Sequence, residues 1–111
     1  MGSILISIKK LLGIPEEYTQ FDQDIIIHIN SVFAVLNQIG FGPIDGFRIE
    51  DDTTEWNEYL GEDNNVSMIR DYIYLKVRLL FDPPQSSALM DAINRQIGEF
   101  EWRINASSDF K

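Results

Sequence analysis

The chain has 111 residues, enough for one domain with an ordinary core and too few for two comfortable ones. Its composition, 44% apolar and 24% charged, is that of a folded globular chain and excludes wholesale disorder. Cysteine is absent and there is a single histidine, which excludes disulfides, thiolate nucleophiles, iron–sulfur clusters and sites built from several imidazoles.

The net charge of −9 is unevenly spread. Between Asp45 and Asp63 there are eight acids and one base, Arg48, whereas the rest of the chain carries ten acids and eight bases. A grip on nucleic acid needs clustered cations against phosphates, and that footprint is missing. No apolar run approaches the roughly 18 residues of a membrane-spanning helix. Ile4 to Leu12 is broken by Ser7, Lys9 and Lys10 and lacks a small-residue cleavage site, so no signal peptide is expected. Gly2 opens no myristoylation signal, because Ile6 stands where Ser or Thr is required.

The periodicity is helical almost throughout. A first helix is predicted from Ser3, its N-cap, to Leu12, with Ile4, Ile8, Leu11 and Leu12 on one face; Gly13 and Pro15 stop it, and Lys9 and Lys10 suit its C-terminal dipole. A second runs from Asp22, read as its cap, to Ile39, with Phe21 stapled onto Ile26 and Gly40 as the stop. Ile25, Ile26, Ile29, Val32, Phe33, Leu36 and Ile39 keep the i, i+3, i+4, i+7 rule; Ile27 and Val35 lie off that stripe, so the helix is apolar on more than one side. Phe41 to Asp52 reads as a loop punctuated by Gly42, Pro43 and Gly46, with a short strand near Phe47 to Ile49. A short helix follows from Thr53 to Leu60, with capping-box spacing between Asp52 and Glu55 and Gly61 as its end. The fourth helix begins near Asn64 or Asn65 and reaches Phe81, where Pro83 and Pro84 forbid continuation. The last begins near Ser86 or Ser87 and ends about Asn105, with Trp102 off its apolar stripe and residues 105–111 fraying. The expected fold is all-α, one domain of four main helices plus a short one around a Gly/Pro-containing loop.

Few constellations offer chemistry. His28 sits one turn after Asp24, which suits an imidazole–carboxylate contact, but no nucleophile elbow accompanies it; the structural reading, a half-buried histidine, outweighs a general base. Glu55 and Glu58 have the E-x-x-E spacing with which some all-helical pyrophosphohydrolases hold magnesium, yet no second carboxylate pair stands at i, i+3 on a later helix. A solvated acidic turn accounts for them more simply. Asp63, Asn64 and Asn65 lack the remaining positions of a calcium loop, and no phosphate-cradling glycine loop is present.

Thirteen aromatic residues are a heavy load for this length. Phe21, Phe33, Tyr72, Phe81 and Phe100 suit a core. Phe41, Phe47, Trp56, Tyr59, Tyr74, Trp102 and Phe110 are harder to place inside so small a body, which leaves contact with other subunits or shielding of the loops as open explanations.

Three segments carry a family resemblance: FDQDIIIHINSVFAVLNQIGFGP from Phe21 to Pro43, YIYLKVRLLFDPP from Tyr72 to Pro84, and EFEWRIN from Glu99 to Asn105. In this combination and order, from about Ile4 to Arg103, the chain resembles the small head–tail connector proteins of long-tailed bacteriophages and prophages. Ile44 to Val66 matches least. The resemblance implies a structural protein of the virion's head–tail junction, made in the host cytoplasm, without catalysis or cofactor. It implies a homo-oligomeric ring, matched to the portal's symmetry, that extends the DNA channel and docks the next head-completion or tail protein. DNA is then passing cargo, and no membrane is involved. Residues expected at contacts with neighbouring subunits or the portal are Ile27, Val35, Phe41, Phe47, Trp56, Tyr74, Phe81, Pro83, Pro84, Trp102 and Arg103. The competing readings are a small magnesium-dependent nucleotide pyrophosphohydrolase using Glu55 and Glu58, and a phage-encoded binder of a host factor.

Overall fold

Five helices form in the order α1 (Ile4–Leu12), α2 (Asp22–Ile39), α3 (Trp56–Leu60), α4 (Val66–Phe81) and α5 (Ser87–Ser108). The computed structural model describes residues 2–61 and 66–108, with backbone only at 107 and 108. The residues expected to start the fourth helix, Asn64 and Asn65, lie outside the described residues, as does Phe110. Within them the fold is all-α, as the periodicity predicts; α2 and α4 pair most extensively, and α1 and α5 pack against both.

Ser3 caps α1, its hydroxyl accepting from the Ile6 N–H at 3.2 Å. The helix ends at Gly13 in the left-handed region (φ 82°), with the Ile14 N–H returning to the Lys9 carbonyl. Ile4, Leu5 and Ile8 are fully buried. The cap of α2 corrects the sequence reading. Phe21 is the N-cap residue and makes no side-chain cap bond; Asp22 is already helical. Its carboxylate is committed elsewhere, to a buried lysine described below. Phe21 is also not in the core: it stays 38% exposed and packs on Tyr18 and Phe81.

The segment Phe41 to Asp52 is strapped to α2 by two asparagines two turns apart. Asn37 Nδ2 donates to the carbonyls of Pro43 (3.0 Å) and Ile44 (3.4 Å). Asn30 donates Nδ2 to the Ile49 carbonyl (2.9 Å) and accepts the Ile49 N–H on Oδ1 (2.8 Å). The strand expected at Phe47 to Ile49 is therefore not one. A side-chain amide supplies at Ile49 the two bonds that a partner strand would supply.

The short helix starts later than Thr53. Thr53 is held by Asp51, whose carboxylate accepts its N–H and hydroxyl at 3.0 and 2.6 Å and is stabilised in its ionised form, with a lowered pKa, by those bonds. The Thr54 carbonyl accepts the Ile4 N–H at 3.0 Å, and the Trp56 N–H donates to the Gly2 carbonyl at 3.2 Å. These bonds dock the segment along the entry to α1 and delay the helix to Trp56. The capping box is Glu55 with Glu58, not Asp52 with Glu55.

Beyond α4, Ser86 takes the capping role for α5, accepting the Leu89 N–H on its hydroxyl and the Met90 N–H on its carbonyl. α5 continues three residues past Asn105, the end expected for it.

Candidate functional site

Among the described residues the one buried charged side chain is Lys9. Its side chain is only 2% exposed. The ammonium donates to the carbonyls of Glu16 (3.0 Å) and Tyr18 (2.7 Å) and faces Asp22 Oδ1 at 2.8 Å, an ion pair whose angle falls short of a hydrogen bond. The whole α1–α2 connection is wound around this charge. Sequence reasoning placed Lys9 at a helix C-terminus for its dipole and missed this; Leu5 and Ile8 flanking it on the buried side of α1 were the available signal.

The aromatic load divides into an interior set and a surface set. Phe41, Trp56 and Tyr59, expected to be hard to enclose, are buried. Trp56 Nε1 donates to Ser7 Oγ at 3.0 Å, which satisfies its one polar atom. Tyr59 stands among Phe33, Phe41 and Phe47, with ring centroids 4.6, 5.9 and 4.9 Å away. Burial pushes its phenol pKa up. Gly42 makes this packing possible: a Cβ there would stand 2.9 Å from the Tyr59 ring, and its φ of 86° already disfavours any other residue. The loop strapped over α2 brings Phe41 and Phe47 to Tyr59, whereas Trp56 is held against α1; Phe41 and Trp56 are both buried in the subunit. Phe47 is half-buried in the same cluster, 5.3 Å from Phe33.

The remaining candidates gather at opposite ends of α2. At its start, Phe81 from the end of α4 lies 5.4 Å from Phe21 and 6.5 Å, edge-on, from the His28 imidazole. Ile27 is 63% exposed beside His28, and Leu80 is 55% exposed beside Phe81. Among the described residues no hydrogen bond joins His28 to Asp24, and Ser31 donates to the His28 carbonyl rather than to the ring. Pro83 and Pro84 follow at this end, exposed and half-buried. At the other end of α2, Val35, Gln38 and Ile39 form a groove with Glu101, Trp102 and Asn105 of α5. Trp102 is 72% exposed there, and the adjacent Arg103 pairs with Glu99 one turn back. Tyr74 is separate, half-buried on α4 and accepting from Arg78 at 3.4 Å. Ile44, 93% exposed at the tip of the strapped loop, was not singled out by the sequence; its position in a glycine-bracketed turn was the signal.

The acidic positions have local uses. Glu58 accepts the Glu55 N–H at 2.7 Å, so the E-x-x-E spacing is that of a helix cap. Among the described residues no group of three or more His, Asp or Glu side chains is arranged to hold a metal ion. None of the described helices is long and apolar enough to cross a membrane. Tyr72 donates to Glu101 at 2.7 Å, tying α4 to α5, and burial first and that carboxylate second push its phenol pKa up.

The geometry is thus one of surfaces rather than of a reaction centre: a sealed interior, and apolar side chains left outside at both ends of one helix. A family model described as phage connector protein matches residues 4–111, and the chain belongs to that family. The family is structural and is not known as enzymatic, and membership implies a role at the phage head–tail junction. No curated protein and no solved structure matches it.

Proposed function

We propose that the chain assembles as a homo-oligomeric ring beneath the portal of the filled head, continues the DNA channel, and presents a docking surface to the next head-completion or tail protein. The observation that carries this reading is the pair of apolar surfaces at opposite ends of α2, Ile27 with Phe81 at one and Val35 with Trp102 at the other. A cyclic ring needs two different, mutually complementary patches on each subunit, and two separate apolar patches on one subunit support that reading. The neighbours are a second copy of the chain and the portal protein. The half-buried Phe47 and Tyr74 and the exposed Arg103 belong to the margins of these contacts.

DNA is cargo in this arrangement. Asp45, Glu50, Asp51, Asp52, Glu55 and Glu58 are all exposed and lie together in sequence between the strapped loop and α3. Facing the lumen, they repel phosphate and let the duplex slide without being held. The Asp82–Pro83–Pro84 corner fixes the direction in which α5 leaves α4, because both prolines lock φ.

The corner provides the test. Replacing Pro83 and Pro84 together by alanine is expected to preserve the helical circular dichroism of the isolated chain while lowering incorporation into portal-bearing heads and the yield of tailed particles. Full particle yield from the double variant would sink the proposed role of the corner. Heads that never retain the unaltered chain would sink the connector ring itself.

A further inference from the structure

Helix α5 turns only one side to the body, through Ile93, Ile97 and Ile104. Its opposite face is exposed at Ala88, Arg95, Glu99 and Trp102, half-buried at Ala92 and Ala106, and has an order of its own: these six recur at alternating spacings of four and three residues. That is the spacing of a helix–helix seam. This seam is palindromic in size and charge about its centre. Reversed and laid on itself, it sets Ala88 against Ala106, Ala92 against Trp102, and Arg95 against Glu99.

We infer that a second copy of this chain docks on the outer face of α5, antiparallel, to form a two-fold dimer of free subunits. Charge complementarity selects that occupant. Each copy offers Arg95 to the other's Glu99, so one dimer closes two cross-helix pairs. Among the described residues Arg95 forms no ion pair, and Glu99 pairs only with its own Arg103, an exposed contact of small worth that an Arg95 from a second copy can replace. Trp102 supplies the apolar anchor; at 72% exposure it projects from the helix and reaches the small Ala92 of the opposing copy. Gly98 stands beside the seam with open space where a Cβ would be, which removes one obstacle to close approach.

A two-fold contact is isologous and has no place between neighbours in a cyclic ring. The dimer is therefore a state of the free subunit, and it covers Trp102 and Arg103 until the subunit joins a head.

Sedimentation equilibrium of the purified full-length chain across a concentration series tests this, with helical circular dichroism as the folding control. The unaltered chain is expected to show a monomer–dimer equilibrium. Arg95→Glu alone and Glu99→Arg alone each place like charges across the seam and should weaken the dimer about tenfold or more. The double variant Arg95→Glu with Glu99→Arg exchanges the charges and should recover most of the loss. A chain that stays monomeric at all concentrations overturns the inference, as does a dimer indifferent to both single reversals. Neither result touches the ring beneath the portal, which is read separately from incorporation into heads.

Discussion

The two flanking helices, α1 and α5, spend their residues in opposite ways. α1 has nine residues and buries four of them, Ile4, Leu5, Ile8 and Lys9. Its surroundings hold it from several directions: Thr54 at the Ile4 N–H, Trp56 at Ser7, and the α1–α2 connection around the Lys9 ammonium. α5 is more than twice as long, with 22 residues, and its fully buried side chains are Ile93, Ile97 and Ile104. Length is a poor guide to structural weight here. The short helix closes the domain, whereas the long one leaves most of its circumference outside.

The strongest way to break that contrast is to attack Lys9. Lys9→Met keeps the aliphatic stem and leaves Asp22 and two carbonyls facing an apolar group. Removing one partner of a buried pair costs about 3–5 kcal/mol, and the loss is expected in urea denaturation of the variant. Lys9→Met combined with Asp22→Leu should recover a large part of it, since the orphaned carboxylate is then gone. A loss below about 1 kcal/mol would show that the α1–α2 connection is held by something other than this charge.

A second, smaller effect comes from the phenols of Tyr59 and Tyr72. Both have raised pKa values in the fold, against 10.0 for an ordinary tyrosine, chiefly because burial disfavours the phenolate. The unfolded chain therefore releases these protons at lower pH than the folded chain. Stability from this source is complete below pH 10.0 and falls as pH rises beyond it towards the higher folded values. Thermal melts between neutral pH and about pH 11 should show the decline. Tyr72→Phe should flatten it while lowering stability at neutral pH by about 1–2 kcal/mol, because Glu101 loses its donor. An unchanged alkaline slope in that variant would remove Tyr72 as a source of the pH dependence.

How much of this was legible beforehand follows from the range of the interactions. The helices, the Ser3 cap and the stops at Gly13 and Gly40 depend on neighbours within a few residues, and the sequence shows them directly. The errors sit where a distant group intervenes. Asp22 reads as a cap until Lys9, thirteen residues earlier, takes its carboxylate. Phe47 to Ile49 reads as a short strand, but Asn30 on α2 stands where a second strand would pair. Phe41 and Trp56 look surplus because their enclosure depends on distant segments: Phe41 on the Tyr59 cluster, Trp56 on Gly2 and Ser7 at α1. Ile27 and Trp102, which fall off their helices' apolar stripes, were readable as surface positions because no long-range contact redirects them.

Trp102 gives the smallest expected effect on the fold and the sharpest statement of the contrast. An indole this exposed contributes little to the interior, so Trp102→Ala should change the unfolding free energy by no more than about 0.5 kcal/mol. Its consequence should appear instead in association, as weaker dimerisation of the free chain and poorer retention on heads, since a central aromatic anchor carries a large share of an interface. Trp56→Ala is the matched opposite. That indole is 2% exposed and bonded to Ser7, and its removal should cost about 3–5 kcal/mol. Equal losses of stability in the two variants would mean that α5 closes the core as α1 does, and that its outer face is not reserved for a partner.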